Sequence, residues 1–205
     1  MYQNAFAKLS PKEVSSLLDI LNPKFDGSAF DAEKTTILAQ DISFYKGYRI
    51  LDIADFSSLP AKQRFVVFKN ADDFFIINFS NEIIYEHNKK IPISLDESNI
   101  FDYVRFFFSY VRGKKGNFLV VESVDDINWR DDPPPNARKA IGELINVLTL
   151  EKIDEDKTYN IRACMVFKDS LFRCLVKIDT TGYISLHEEE LLVEDIPVLD
   201  DVLAQ

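Results

Sequence analysis

The sequence predicts an α+β fold, predominantly antiparallel sheet with two or three packed helices and a C-terminal three-stranded meander. Three observations predict it. Strand-like runs outnumber helical ones, the clear connections are hairpins, and the last third holds three segments of alternating apolar residues separated by turns. At 205 residues a single domain spanning 1–205 is expected. A possible sub-division separates a mixed α/β part, 1–149, from an acidic β-meander part, 150–205.

Ser10-Pro11-Lys12-Glu13 reads as a capping box with proline at the first helical position, and Val14, Leu17, Leu18 and Leu21 follow at helical spacing as far as Asn22-Pro23. Thr36 to Phe44 and Tyr48 to Ile53 are strand-like around a Tyr45-Lys46-Gly47 turn. Phe65 to Phe68 and Phe74 to Ile77 form a hairpin whose strands are apolar on both faces, which places them in the middle of a sheet. Ile83 to His87 adds a further strand before a loop at Pro92. Glu97-Ser98-Asn99 opens a helix carrying Ile100, Phe101, Val104, Phe107, Phe108 and Val111 on one side and Tyr103, Phe106 and Tyr110 on the other, so it is expected to be central and buried on two sides. Gly113 stops it, with Arg112 in its last turn.

Asn117 to Glu122 reads as a strand, and Val124 to Pro135 as a loop rich in aspartate and proline. Ala137, Ala140, Ile141, Leu144, Ile145 and Leu148 predict the next helix, and Glu151 to Lys157 an acidic linker. The meander follows as Tyr159 to Phe167, Leu171 to Asp179 and Tyr183 to Glu188, the second turn carrying Gly182. Apolar residues occupy odd positions of the first strand and even positions of the other two. Pairing those sets fixes the register and puts Cys164 and Cys174 on opposite faces, so two free thiols are expected. The same parity sets Leu175 opposite His187 and Arg173 opposite Glu189, on an outer face shared with Lys177 and Cys164.

Composition narrows the chemistry. Two histidines, two cysteines and six glycines leave little from which to build a metal centre, a disulfide scaffold or a glycine-rich phosphate cradle. No catalytic residue, metal ligand or cofactor is expected. The net charge of −10 repels nucleic acid and anionic membrane on average, so neither is an expected partner. Met1 to Ser10 lacks the apolar core of a signal peptide, and no apolar run reaches spanning length. A soluble, cytoplasmic protein is therefore expected.

Two regions remain as candidates for function. The acidity is uneven, with −7 falling in residues 150–205. Glu188, Glu189 and Glu190 in that region, together with Trp129, Asp131 and Asp132 in the tryptophan and proline loop, are candidate contacts to a protein partner with a basic surface. The expected function is a non-enzymatic protein-binding or regulatory module. The alternative is an enzyme or small-molecule-binding protein in which Arg112, Lys114 and Lys115 hold an anionic ligand beside an aromatic pocket. Cations after a helix C-terminus also answer the helix dipole, which gives those three residues a purely structural role.

Overall fold

The Ser10 hydroxyl accepts the Glu13 N–H, and the Glu13 carboxylate reaches back to the Ser10 N–H at 2.9 Å. This reciprocal cap starts helix α1, Pro11–Leu21, which turns Val14, Leu17, Leu18 and Leu21 to one buried side. In the computed structural model, which describes residues 6–27, 29–91, 93–113 and 116–199, the chain divides into two compact units, Tyr2–Asn78 and Phe79–Gln205. The first carries a net charge of −1 and the second −9. The fold is α+β with two antiparallel five-stranded sheets and four α-helices among the described residues.

The first sheet runs in chain order: β1 (Ala7–Lys8), β2 (Thr36–Asp41), β3 (Arg49–Asp55), β4 (Lys62–Asn70) and β5 (Asp73–Ile76). Ile37, Ala39, Leu51, Ile53, Val66 and Phe68 point to one face, and α1 packs its apolar stripe there. The hairpin of β4 and β5 forms as expected, but only β4 is central and β5 is an edge. Phe74 and Ile76 pack on the α1 core while Phe75 is buried opposite, so β5 is covered on both faces without a neighbour on its outer side. An apolar run reports burial, and strand pairing is a separate matter.

In the second unit Asn81–Lys90 is a helix, α2, where a strand was expected at Ile83 to His87. Ser80 caps it by accepting the Glu82 N–H at 3.2 Å, and Ile84, His87 and Asn88 are its buried face at offsets of three and four. Helix α3, Ile100–Tyr110, is buried nearly all round, Arg105 included. It ends at Val111 in extended conformation, so Arg112 lies beyond its last turn. Inside, the Arg105 guanidinium grips the Glu122 carboxylate at 2.6 and 2.9 Å.

Strand β6, Phe118–Val121, leads through a short turn at Val124–Asp126 to α4, Pro135–Leu144. That helix stops four residues short of the expected Leu148, because Ile145 turns extended and the Leu148 N–H is taken by Glu122 at 3.3 Å. Thr149–Ile153 is strand β7, so the expected linker, Glu151 to Lys157, begins inside a strand. Its polar residues are held by cross-strand pairs, chiefly Glu151 with Arg162. Strands β8 (Tyr159–Phe167), β9 (Ser170–Ile178) and β10 (Ile184–Val193) form the meander. β6 and β7 lie end to end along the other edge of β8, so the compositional shift near 149 falls inside one sheet.

Candidate functional site

The register of the meander follows the parity of its apolar residues: Ile161 pairs Val176, Ala163 pairs Cys174, and Leu186 pairs Val176 from the other side. Cys164 pairs Arg173 and points away from Cys174, and both thiols are free and buried. Burial first, then the Glu189 charge, pushes the Cys174 thiol up to about 12, which keeps it protonated and inert.

His187 pairs Leu175 as the parity requires, but Arg173 faces Glu190 in place of the expected Glu189. A β-bulge at Glu188 and Glu189 accounts for the difference, with Glu188 at φ 50°. One extra residue enters the edge strand, and the strand beyond it shifts by one against its partner. Glu189 is thereby taken out of the ladder and exposed.

The face of the sheet bearing Cys164 has two halves. One is covered: Cys164, Val166, Leu171 and Val121 pack with Ile127 and Ile196, and Ile141, Leu144, Trp129 and Val198 close over them. The other half is polar. Arg162 lies between Glu151, at 2.8 and 3.1 Å, and Glu188, at 3.0 Å, while Arg173 holds Glu190 at 3.1 Å. The Glu151 carboxyl is held below its usual range by the Arg162 hydrogen bond, and Arg162 is raised in return. Ser185 Oγ lies 2.9 Å from His187 Nε2 on the same face. Arg162 shares the parity of Cys164 on β8, which is the signal in the sequence that places it on this face.

Trp129 is half-buried, donates its indole N–H to the Val124 carbonyl at 3.2 Å and stacks beneath Arg138. Its backbone bridges to Val198, the Arg130 N–H reaches the Pro197 carbonyl at 2.8 Å, and the Leu199 N–H reaches Asn128 at 2.8 Å. The tryptophan loop and the segment after β10, remote in sequence, are thus hydrogen-bonded together. Asp131 and Asp132 stand exposed on that loop, beside Arg130 and Arg138 respectively. Leu191 on β10 and Leu199 in the segment after it are exposed.

Arg112 lies 4.1 Å over the Phe79 ring, and its N–H donates to the Phe79 carbonyl. Gly113 and Gly116 close a tight bridge. Lys114, Lys115, Pro92, Asp200 and Asp201 lie outside the described residues. Among the described residues no group of three or more His, Cys, Asp or Glu is arranged to hold a metal ion, and no helix is long and apolar enough to cross a membrane. No protein-family model, curated protein or solved structure matches the chain.

Proposed function

We propose that the chain is a protein-binding or regulatory module whose contact surface is acidic and lies in its second unit. The observation that carries this reading is the bridge between Trp129 and Val198, which joins the aspartate loop to the segment leaving the glutamate strand. Glu188 and Glu190 are oriented by Arg162 and Arg173 yet remain mostly in water, and Glu189 in the bulge extends beyond them. A partner with a basic surface would meet oriented carboxylates with exposed Leu191 and Leu199 in the same stretch of chain. Trp129 packs its partly buried ring into the apolar half of the same face, which leaves the carboxylates as the recognition elements.

Recovery of partners from a source-cell lysate tests the reading. The comparison is between the wild-type chain and a Glu189→Lys, Asp132→Lys variant, whose changes fall on exposed side chains. A partner retained by the first at low salt, lost from the second and released by salt supports the module. Identical recoveries from both chains remove this surface.

A further inference from the structure

The first unit carries a pocket of about 130 Å³ lined by Phe25, Asp26, Gly27, Phe30, Lys62 and Arg64. Its aromatic wall is fixed in place. The Asn22 side chain donates to the Phe30 carbonyl at 3.0 Å and accepts the Phe30 N–H at 2.8 Å, which pins the loop back onto the end of α1. Phe25 and Phe30 then meet edge to face, with centroids 5.5 Å apart. Gly27, at φ 97°, supplies the left-handed turn that brings the loop round.

Lys62 and Arg64 make the rest of the lining mainly cationic. Lys62 and Arg64 sit two residues apart on β4 and therefore share a face. Lys62 pairs across the hairpin with Asp55, whose carboxylate is taken by the Ser57 N–H at 2.8 Å and the Ser57 hydroxyl at 2.6 Å. Arg64 donates to the neighbouring Gln63 carbonyl at 2.9 Å. Among the ion pairs of the described residues neither cation takes part, whereas Arg105, Arg130, Arg138, Arg162 and Arg173 all do. In a chain with 34 acidic and 24 basic residues, two such cations beside one aromatic wall are an informative arrangement. Asp26 leaves the lining with a net charge of +1.

We propose that this pocket binds a small monocarboxylate with a flat apolar body, the carboxylate on Lys62 and Arg64 and the ring against Phe25 and Phe30. The volume of about 130 Å³ is near the roughly 150 Å³ that holds a benzene ring and below the roughly 300 Å³ at which drug-sized sites begin, which favours a small ligand over a nucleotide or larger cofactor. Asp26 disfavours a second negative charge, which sets a monocarboxylate ahead of a phosphate dianion. A guanidinium and an ammonium against one carboxylate give charge-assisted hydrogen bonds, and the phenylalanine pair supplies the apolar contact.

Benzoate titrated into the isotope-labelled full-length chain, followed by amide NMR, is the test. The expected result is saturable shifts at residues 25–30 and 62–64, with dissociation in the millimolar range suited to so few atoms. Benzyl alcohol, with the ring but no charge, and inorganic phosphate, with charge but no ring, are each expected to bind about tenfold more weakly. A Lys62→Gln, Arg64→Gln variant is expected to lose about tenfold, and Asp26→Asn to gain a few-fold, with the remaining spectrum reporting that each variant is folded. Shifts elsewhere, no saturation, equal binding of benzoate and benzyl alcohol, or an unchanged double variant would each overturn the proposal.

Discussion

The Tyr103 hydroxyl donates a 2.6 Å hydrogen bond to the carbonyl of Gly182, joining the central helix of the second unit to the tip of the β9–β10 hairpin 79 residues away. Asn88 on α2 completes the clamp, donating to Tyr103 Oη at 3.3 Å and to the Thr181 carbonyl at 3.0 Å. Two helices and a hairpin thus meet on one buried hydroxyl. The approach is so close that a Cβ on Gly182 would lie 2.6 Å from Asn88 Nδ2 and 2.8 Å from Tyr103 Oη.

Tyr103→Phe is therefore expected to destabilise the second unit by about 1–3 kcal/mol, since it leaves a buried carbonyl without its donor. Gly182→Ala should cost more, on the order of 3 kcal/mol, because steric overlap adds to the left-handed strain at φ 79°. Urea unfolding read by the chain's single tryptophan, Trp129, measures both, as that residue belongs to the same unit. Equal stabilities for Gly182→Ala and wild type would contradict the clamp.

Arg105 and Glu122 make a pH-dependent contribution whose sign follows from their geometry. Burial alone would raise the Glu122 carboxyl, but the Arg105 hydrogen bonds and charge, with the Leu148 N–H, hold it below its ordinary 4.5. A carboxyl lowered in the folded state contributes stability above the unfolded value and loses it as pH falls through the folded one. The wild-type chain should accordingly weaken below about pH 4.5 through this group. Arg105→Met leaves Glu122 half-buried without its cation, which costs about 3–5 kcal/mol at neutral pH. In that variant burial dominates, the carboxyl is raised, and stability should recover as the pH is lowered. Opposite slopes of unfolding midpoint against pH in the two chains are the expected result.

Both thiols should resist a thiol-reactive reagent at pH 8 in the native chain and react fully on unfolding. Cys174 is protonated there, its thiol pushed up to about 12, and Cys164 is enclosed with its Sγ near the Leu144 carbonyl. Oxidation of the folded protein should yield no intramolecular disulfide, since the two residues face opposite sides of β8 and β9. A cross-linked native species would overturn that register.

The Arg162 and Arg173 ion pairs lie at the surface, and their contribution to stability is small. Glu190→Gln is expected to shift unfolding by no more than about 1 kcal/mol. Its larger effect belongs to association, where loss of an oriented carboxylate reduces a salt-dependent on-rate. Stopped-flow association with a recovered partner, at two ionic strengths, separates the two effects.

In α1 and in the meander the segments' own periodicity decides which face is buried, and there the structure follows the sequence. Val14, Leu17, Leu18 and Leu21 lie at helical spacing behind a complete capping box, and α1 forms as read. Odd and even apolar positions set the register of β8, β9 and β10 up to His187, because a slip of one residue would expose the whole core face. Ile83 to His87 reads as a strand because five residues cannot separate the two periods; the cap on Ser80 and the basic end at His87, Lys89 and Lys90 decide for helix. Glu151 offered no apolar pattern at all, and its place in β7 comes from Arg162 on a neighbouring strand.

The sequence alone determined the class of fold, the antiparallel meander, the separation of the two cysteines and the acidity of the C-terminal part. Those properties depend on local spacing and on charge count, which neighbours in space do not alter. Only the tertiary structure decided that Glu190 faces Arg173, that Trp129 packs beneath Arg138 and bridges to Val198, and that Lys62 and Arg64 meet Phe25 and Phe30. Each of these joins different elements or loops; one bulged residue sets the first and one clamping asparagine holds the aromatic side of the last. Such pairings carry no period in the sequence, because they are selected by packing after the elements have formed.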